Sequence, residues 1–430
     1  MKARAAAVVA ILVGCGGGTD EESAGTTVLP AGTGGAGVQA TGGTAGASVG
    51  GGSAGKAGSS TAGKGGSSTA GSGGSSTAGS GGSASGGKGG ASTAGTGGSA
   101  AGKAGSSSAG AGGSSAGTAG SGGSGGACAK PAVACSKLGA QTLGEAGPFA
   151  DFLSACPRVA KWVAGNPPPW SDIAKYKCQC GGKTVLRMYG PPGTYKDGQA
   201  LWDARYASLD AATPEQKASI DYLEGDNEFD AGHGFNGPDG QPSDTAAADY
   251  AAFESSFVDV ATKKGYRPLV GNIAVGNPAG DVGTCTGNGS LAFAKLVPAI
   301  ALAGKAGGGW AYHAYTPMWS EDAAGFQSYY ALRYRRYLQC FPEIASVPLV
   351  LTEGGFDKGG NPDQDGYLQN GGAAQYFPWL SWFDGELKKD ASVVGVTLFA
   401  FAPAGQWSSF RLDGDVGMMK AAIGAPTCSP

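Results

Sequence analysis

From residue 139 onward, short apolar runs recur with polar, Gly-rich or amphipathic stretches between them. Eight runs of β character stand out: GAQTL (139–143), RVAKWVA (158–164), TVLRMYG (184–190), DYLEGDNE (221–228), PLVGNIAV (268–275), GWAYHAYT (309–316), PLVLTEGG (348–355) and VVGVTLFAFA (393–402). Between the later runs, apolar residues repeat at helical spacing over 245–265, 290–307, 326–341 and 372–390. Several of these stretches end in Lys and Gly, the residues favoured where helices stop. Strands that alternate with helices point to a parallel sheet. Eight strands in about 300 residues favour closure into a (β/α)₈ barrel over an open sheet. No Gly-rich phosphate loop follows any strand, which argues against a dinucleotide-binding fold.

Composition divides the chain. Of its 83 glycines, most precede residue 128. Residues 16–127 are rich in Gly, Ser, Ala and Thr, with scattered Lys from residue 24 on, and a unit such as GGSSTAGS recurs approximately. Such a segment cannot bury a core, so it is expected to be a disordered linker. A Gly-rich coil of roughly 100 residues has a mean span of about 50–60 Å. The net charge of −3 leaves no basic footprint for nucleic acid. No cofactor motif is present.

The opening MKARAAAVVAILVGC has a basic start and an apolar stretch too short to span a membrane. Its LVGC ending resembles the lipobox of bacterial lipoproteins. That resemblance implies a signal peptide over 1–15, lipidation at Cys15, and an exported protein anchored at the cell surface or in the periplasm without spanning the bilayer. Eight cysteines remain: Cys128, Cys135, Cys156, Cys178, Cys180, Cys285, Cys340 and Cys428. An even number in an exported chain suggests disulfides, whose pairing sequence does not give. Cys178 and Cys180 are too close to suit one another and should bond elsewhere. A zinc site built on these two with Cys128 and Cys135 is the weaker alternative, because no His lies nearby. The acidic loops SEDAAG and DKGGNPDQDG lack EF-hand spacing, so no metal is expected.

In a barrel of this kind, chemistry sits at the C-terminal ends of the strands. The residues expected there are Arg187 and Tyr189, then Asn227 and Glu228, Asn272, His313 and Tyr315, Glu353, and Trp407 after the last strand. Two carboxylic acids, Glu228 and Glu353, thus arrive at one face. A pair of carboxyls flanking a glycosidic bond is the minimal machinery for glycoside hydrolysis. Trp310, Tyr312, Tyr315, Trp319 and Trp407 could face sugar rings, and Asn227, Asn272 and Arg187 could bind hydroxyls. Glu224 shares a strand face with Asp226 and Glu228. It would lie roughly 13 Å deeper than Glu228, as an interior carboxylate paired with Arg187 or Lys161. Asp357 and His233 read as loop residues, and Trp382 as core.

Asn-Glu after strand four, YHAY on strand six, TEGG on strand seven and a Trp after strand eight resemble the clan A glycoside hydrolases, which are retaining (β/α)₈ enzymes. The resemblance covers most of 139–425 and implies Glu228 as acid/base and Glu353 as nucleophile. It further implies that Asn227 contacts the hydroxyl beside the anomeric carbon, that Tyr315 or His313 supports the nucleophile, and that Trp407 forms a sugar platform. It departs from the clan pattern in two places: Phe229 stands where Pro often follows Asn-Glu, and Arg187 lies on the third strand. The expected domain over 128–430 is therefore a monomeric hydrolase of a polysaccharide, with a β-glucan as the candidate substrate. The rival readings are a non-catalytic carbohydrate-binding surface lipoprotein and a cell-wall transglycosylase.

Overall fold

A computed structural model of the protein describes residues 128, 132–144, 147–190, 195–228, 234–403 and 407–430. The leader, Cys15, the linker and His233 lie outside the described residues. In chain order the strands are β1 (Val133–Ala134), β2 (Leu138–Thr142), β3 (Val159–Ala164), β4 (Lys183–Met188), β5 (Tyr222–Glu224), β6 (Pro268–Ile273), β7 (Gly309–Thr316), β8 (Leu349–Phe356), β9 (Val393–Phe401) and β10 (Pro426–Cys428). The α-helices are α1 (Gly147–Leu153), α2 (Trp170–Cys180), α3 (Gly198–Leu201), α4 (Pro214–Ala218), α5 (Asp244–Lys263), α6 (Asn288–Lys305), α7 (Tyr334–Cys340), α8 (Gly372–Leu387) and α9 (Val416–Ile423). Strands β2 to β9 close into a barrel in sequence order. All eight pairings are parallel, with β9 returning to β2. No helix among the described residues is long and apolar enough to cross a membrane.

All eight expected strands are present, and three of the four expected long helices keep their bounds within a few residues. The exception is 326–341, which breaks into a 3₁₀ turn at Phe326–Tyr329 and the short α7. Its aromatic and Arg-rich sequence is tied down locally. Arg333 donates to the Tyr337 hydroxyl at 2.7 Å and also reaches the carbonyl of Pro278, so tertiary bonds override helix continuity. The helix α2 went unseen because three prolines precede it and its apolar face is narrow.

Apolar side chains of β3 to β8 fill the bottom of the barrel: Val159, Val185, Tyr222, Leu269, Ala311 and Val350. The helices pack outside on the larger cluster that includes Leu138, Leu186, Trp310 and Leu351. This is the layered interior of a packed barrel, not a pore. Four disulfides join Cys128 to Cys178, Cys135 to Cys428, Cys156 to Cys180 and Cys285 to Cys340. Cys178 and Cys180 do bond to separate partners, and the zinc alternative is overturned because all four of its cysteines are in disulfides.

Candidate active site

Strand alternation fails at three places near the C-terminal ends, and each failure shapes the site. Between Val350 and Glu353 the chain advances three residues while its partner advances two, from Ala311 to His313. This bulge returns Glu353 to the barrel interior, beside His313. Bulges commonly re-aim side chains next to active sites. The glycines that follow are required by space and backbone. Gly355 has φ +127, and a Cβ there would lie 2.6 Å from the Tyr376 hydroxyl. A second bulge in β6 puts Gly271 and Asn272 at φ +100 and +42. Helix α5 supports it: Glu254 accepts from the Gly271 amide at 3.1 Å, and the Tyr250 hydroxyl donates to the Gly271 carbonyl. A third lies in β9, between Leu398 and Phe401.

Strand β5 is shorter than expected. It ends at Glu224, and Asn227 and Glu228 stand in the loop beyond it, with Glu228 at φ +45. The cause is local. Asp226 turns to pair with Arg205 and accepts from the Asn227 amide at 2.9 Å, so the chain leaves the sheet at Gly225. The extended spacing assumed for Glu224 therefore does not hold: Lys161 lies 2.9 Å from Glu224 and 3.5 Å from Glu353, which brings the interior pair directly under the site.

Glu353 is held on both carboxylate oxygens. Arg187 Nη1 donates to its Oε1 at 3.1 Å, and the Tyr315 hydroxyl donates to its Oε2 at 2.9 Å. His313 Nδ1 stands 3.7 Å from Oε2. Burial would raise its pKa, but His313, Lys161, Arg187 and the Tyr315 hydroxyl together hold it well below the usual carboxylate range. Glu228 has different surroundings. Its side chain is 14 % exposed against 8 % for Glu353, and its Oε1 bonds His313 Nδ1 at 2.7 Å. Burial opposes charge on His313, yet the two carboxylates raise its pKa overall. One oxygen from each acid and one ring nitrogen of His313 lie within 4.8 Å of one another. The two cations on Glu353 and the short imidazole–carboxylate bond suit this trio to moving protons; a metal ion there would face both positive charges.

Other expected residues gather around this pair. Arg187 also donates to Asn227 Oδ1, and Asn227 itself is exposed at the mouth. Asn272 is fully buried and donates to the Asp226 carbonyl at 2.6 Å; its Oδ1 has no hydrogen-bond partner. Asn272 thus braces the Glu228 loop. Tyr189 is half-buried at the end of β4. Trp407 is half-exposed, its ring edge-on to Phe399 and Phe410 at 5.2 and 5.4 Å. Trp310 and Tyr312 lie fully buried in the packing outside the barrel, so they cannot face a sugar. Trp319 stacks on Phe356 at 4.0 Å. Trp382 packs on the core as expected.

Two charged residues matter more than the sequence pattern indicated. Lys161 was identifiable as an interior cation, but its reach to Glu353 depends on the β8 bulge. Asp357 is no open-loop residue: it is buried, and its Oδ1 accepts from the Gly359 and Gly360 amides at 3.1 and 2.7 Å. The Asp-Lys-Gly-Gly order was the available signal for that turn.

No protein-family model matches the chain, and no curated protein matches it. Solved structures resemble its fold. A GH128 (subgroup II) endo-β-1,3-glucanase from Sorangium cellulosum is 18 % identical over 68 % of this chain and 99 % of its own, with TM-score 0.40. The corresponding enzyme from Pseudomonas viridiflava is 17 % identical over 68 % and 98 %, with TM-score 0.38. A glycoside hydrolase family 5 enzyme from Prevotella bryantii is 9 % identical over 66 % and 88 %, with TM-score 0.38. At such identities the likeness is one of fold.

Proposed function

We propose that the protein is a retaining glycoside hydrolase acting on a polysaccharide by double displacement. The observation that carries this reading is the unequal setting of two acids, each with one carboxylate oxygen within 4.8 Å of one of the other's. Retaining enzymes hold their two carboxyls about 5–5.5 Å apart, whereas inverting enzymes leave roughly 6.5–9.5 Å for water. Glu353, kept ionised by its cations and the Tyr315 hydroxyl, attacks the anomeric carbon. Glu228 protonates the departing glycosidic oxygen as that bond breaks. Glu228 then takes a proton from water, which attacks the glycosyl ester and frees Glu353. Proton transfer by Glu228 is assisted by His313, which bonds it directly. Asn227 and Arg187 are assigned to hydroxyls beside the cleaved bond, and Trp407 to a sugar ring at the rim.

The four disulfides fit an oxidising compartment. Together with the lipobox-like LVGC they support an exported protein held at a membrane surface through lipid on Cys15.

The test is reducing-sugar release from β-glucans, mannan, xylan and peptidoglycan by the full chain and its Glu353→Gln variant, with the anomer of the first product followed by NMR. Release with retention, lost in the variant, supports the proposal. Release with inversion overturns the mechanism, and equal release by the variant removes Glu353 from it. Glycan binding with no product from any substrate favours the non-catalytic reading.

A further inference from the structure

Beneath the two acids lies an ion cluster whose interior pair, Lys161 and Glu224, has no step of its own in the mechanism above. Lys161 projects from β3 into the barrel and is fully buried. Its Nζ stands 2.9 and 2.8 Å from the two oxygens of Glu224, 3.1 Å from the Thr352 carbonyl and 3.5 Å from Glu353 Oε1. Arg187 Nη1 faces the same two acids, at 3.1 Å from Glu353 and 3.8 Å from Glu224. Two cations, from β3 and β4, thus each face two anions, from β5 and β8. A buried ion pair is a poor stabiliser, since apolar side chains of similar volume commonly do as well or better. The layer immediately below is built of such side chains. Stability alone therefore gives little reason for Lys161 and Glu224.

Position gives a better one. The Thr352 carbonyl, bonded by both Lys161 and the Thr397 hydroxyl at 2.6 Å, belongs to the bulge that aims Glu353. Lys161 therefore holds the backbone one residue before Glu353 and its carboxylate together. With Glu353 ionised the four charges balance. Once Glu353 is esterified, Lys161 and Arg187 face Glu224 alone and the cluster carries one net positive charge, which favours return of the carboxylate.

We infer that Lys161, kept in place by Glu224, is a positioning residue for Glu353, fixing its direction and favouring its charged form as the leaving group of the second step. This rests on the reading of Glu353 as nucleophile. The groups facing Glu353 are Lys161, Arg187, Glu224, His313, Tyr315 and Glu228; those facing Lys161 are Arg187, Glu224, Glu353 and His313. Burial and Arg187 lower the Lys161 pKa while Glu224 and Glu353 oppose them, so its charge depends on the acids it serves.

The experiment is a carboxyl ¹³C titration of the full chain labelled with ¹³C-glutamate, the Glu353 signal being the one absent from Glu353→Gln. The double variant Lys161→Met/Glu224→Gln removes both charges at similar volume, and Glu224→Gln leaves Lys161 with Glu353 as its nearest acid. The double variant should raise the Glu353 midpoint by about 1–3 pH units, as expected for loss of an adjacent opposite charge. The acid limb of kcat/KM should rise with it, and kcat should fall about tenfold or more while KM stays within about twofold. Glu224→Gln should leave the midpoint where it is or lower it. An unmoved midpoint in the double variant, or a rise in Glu224→Gln, overturns the inference, whatever happens to melting temperature. If the parent turns over no glycan the hydrolase reading fails, and the midpoint still decides whether Lys161 sets the charge of Glu353.

Discussion

Asp357 offers a direct measurement of the electrostatics at the barrel mouth. Its carboxyl is only 8 % exposed, immediately after β8. Burial pushes its pKa up to about 7; the Gly360 and Gly359 amides pull it down, and Asp365 and Glu228 push it further up. In the unfolded chain an aspartate titrates near ~3.9. The folded value is the higher one, so between the two the native state binds more protons than the unfolded state. Stability therefore falls as pH rises through that window and levels off above it. A gap of about three pH units at ~1.4 kcal/mol each makes the loss about 4 kcal/mol at pH 8. Glu353 has the opposite sign. Its depressed pKa gives stability that is present above the unfolded value near ~4.3 and is lost as pH falls, so it does not mask the Asp357 window. Asp357→Asn keeps an oxygen for both glycine amides and never ionises. Guanidinium unfolding with the disulfides intact should find the variant more stable by about 4 kcal/mol at pH 8, narrowing to about 1 kcal/mol at pH 4.5. A difference that stays constant with pH, or a variant less stable at pH 8, would refute the reasoning.

Three further outcomes follow from single contacts. Tyr315→Phe removes a hydrogen bond to a buried carboxylate, worth about 1.5–3 kcal/mol, so kcat/KM should fall roughly 10- to 100-fold and its acid limb should move to higher pH; an unchanged limb would detach Tyr315 from Glu353. Trp407→Ala should raise KM severalfold with a smaller change in kcat, because stacking at the rim binds substrate and transition state alike; steady-state kinetics on a polymeric substrate reads the split. Replacing Cys135 and Cys428 by Ser opens a link across 293 residues and should cost about 2–5 kcal/mol, measured as a lower denaturation midpoint with activity retained below it.

Much of this arrangement was legible because alternation and helical spacing report burial, and burial defines a barrel. The run PLVLTEGG announced both a strand and its end. The order of Glu228, His313 and Glu353 along the chain then put the two acids at the C-terminal ends of strands that stand across one barrel mouth from each other. Alternation could not reveal where the period breaks. Reading DYLEGDNE as one strand put Glu224 far below Glu228, yet Asp226 binds Arg205 and turns the chain out after Gly225. The reading of Trp310 and Tyr312 failed similarly: in GWAYHAYT only His313 and Tyr315 share the interior face with Ala311, and the alternate aromatics face the helices.

The breaks in period are also where the chemistry gathers, and the reason is geometric. A regular strand sends every second side chain inward at fixed height, so a residue of the outward set reaches the interior only where that period breaks. The extra residue in β8 swings Glu353 inward at the level of His313, and the one in β6 directs Asn272 to the Asp226 carbonyl, which supports the loop carrying Glu228. Glu353 thus stands on a braced strand, surrounded by cations. Glu228 stands on a loop at the mouth, with its His313 partner on the strand between them. A nucleophile needs a fixed direction and a stable charge; a proton donor needs access to a leaving group that arrives from solvent. Under the proposed mechanism the two backbone settings match those different requirements, with the fixed charge on β8 and the accessible acid on the loop.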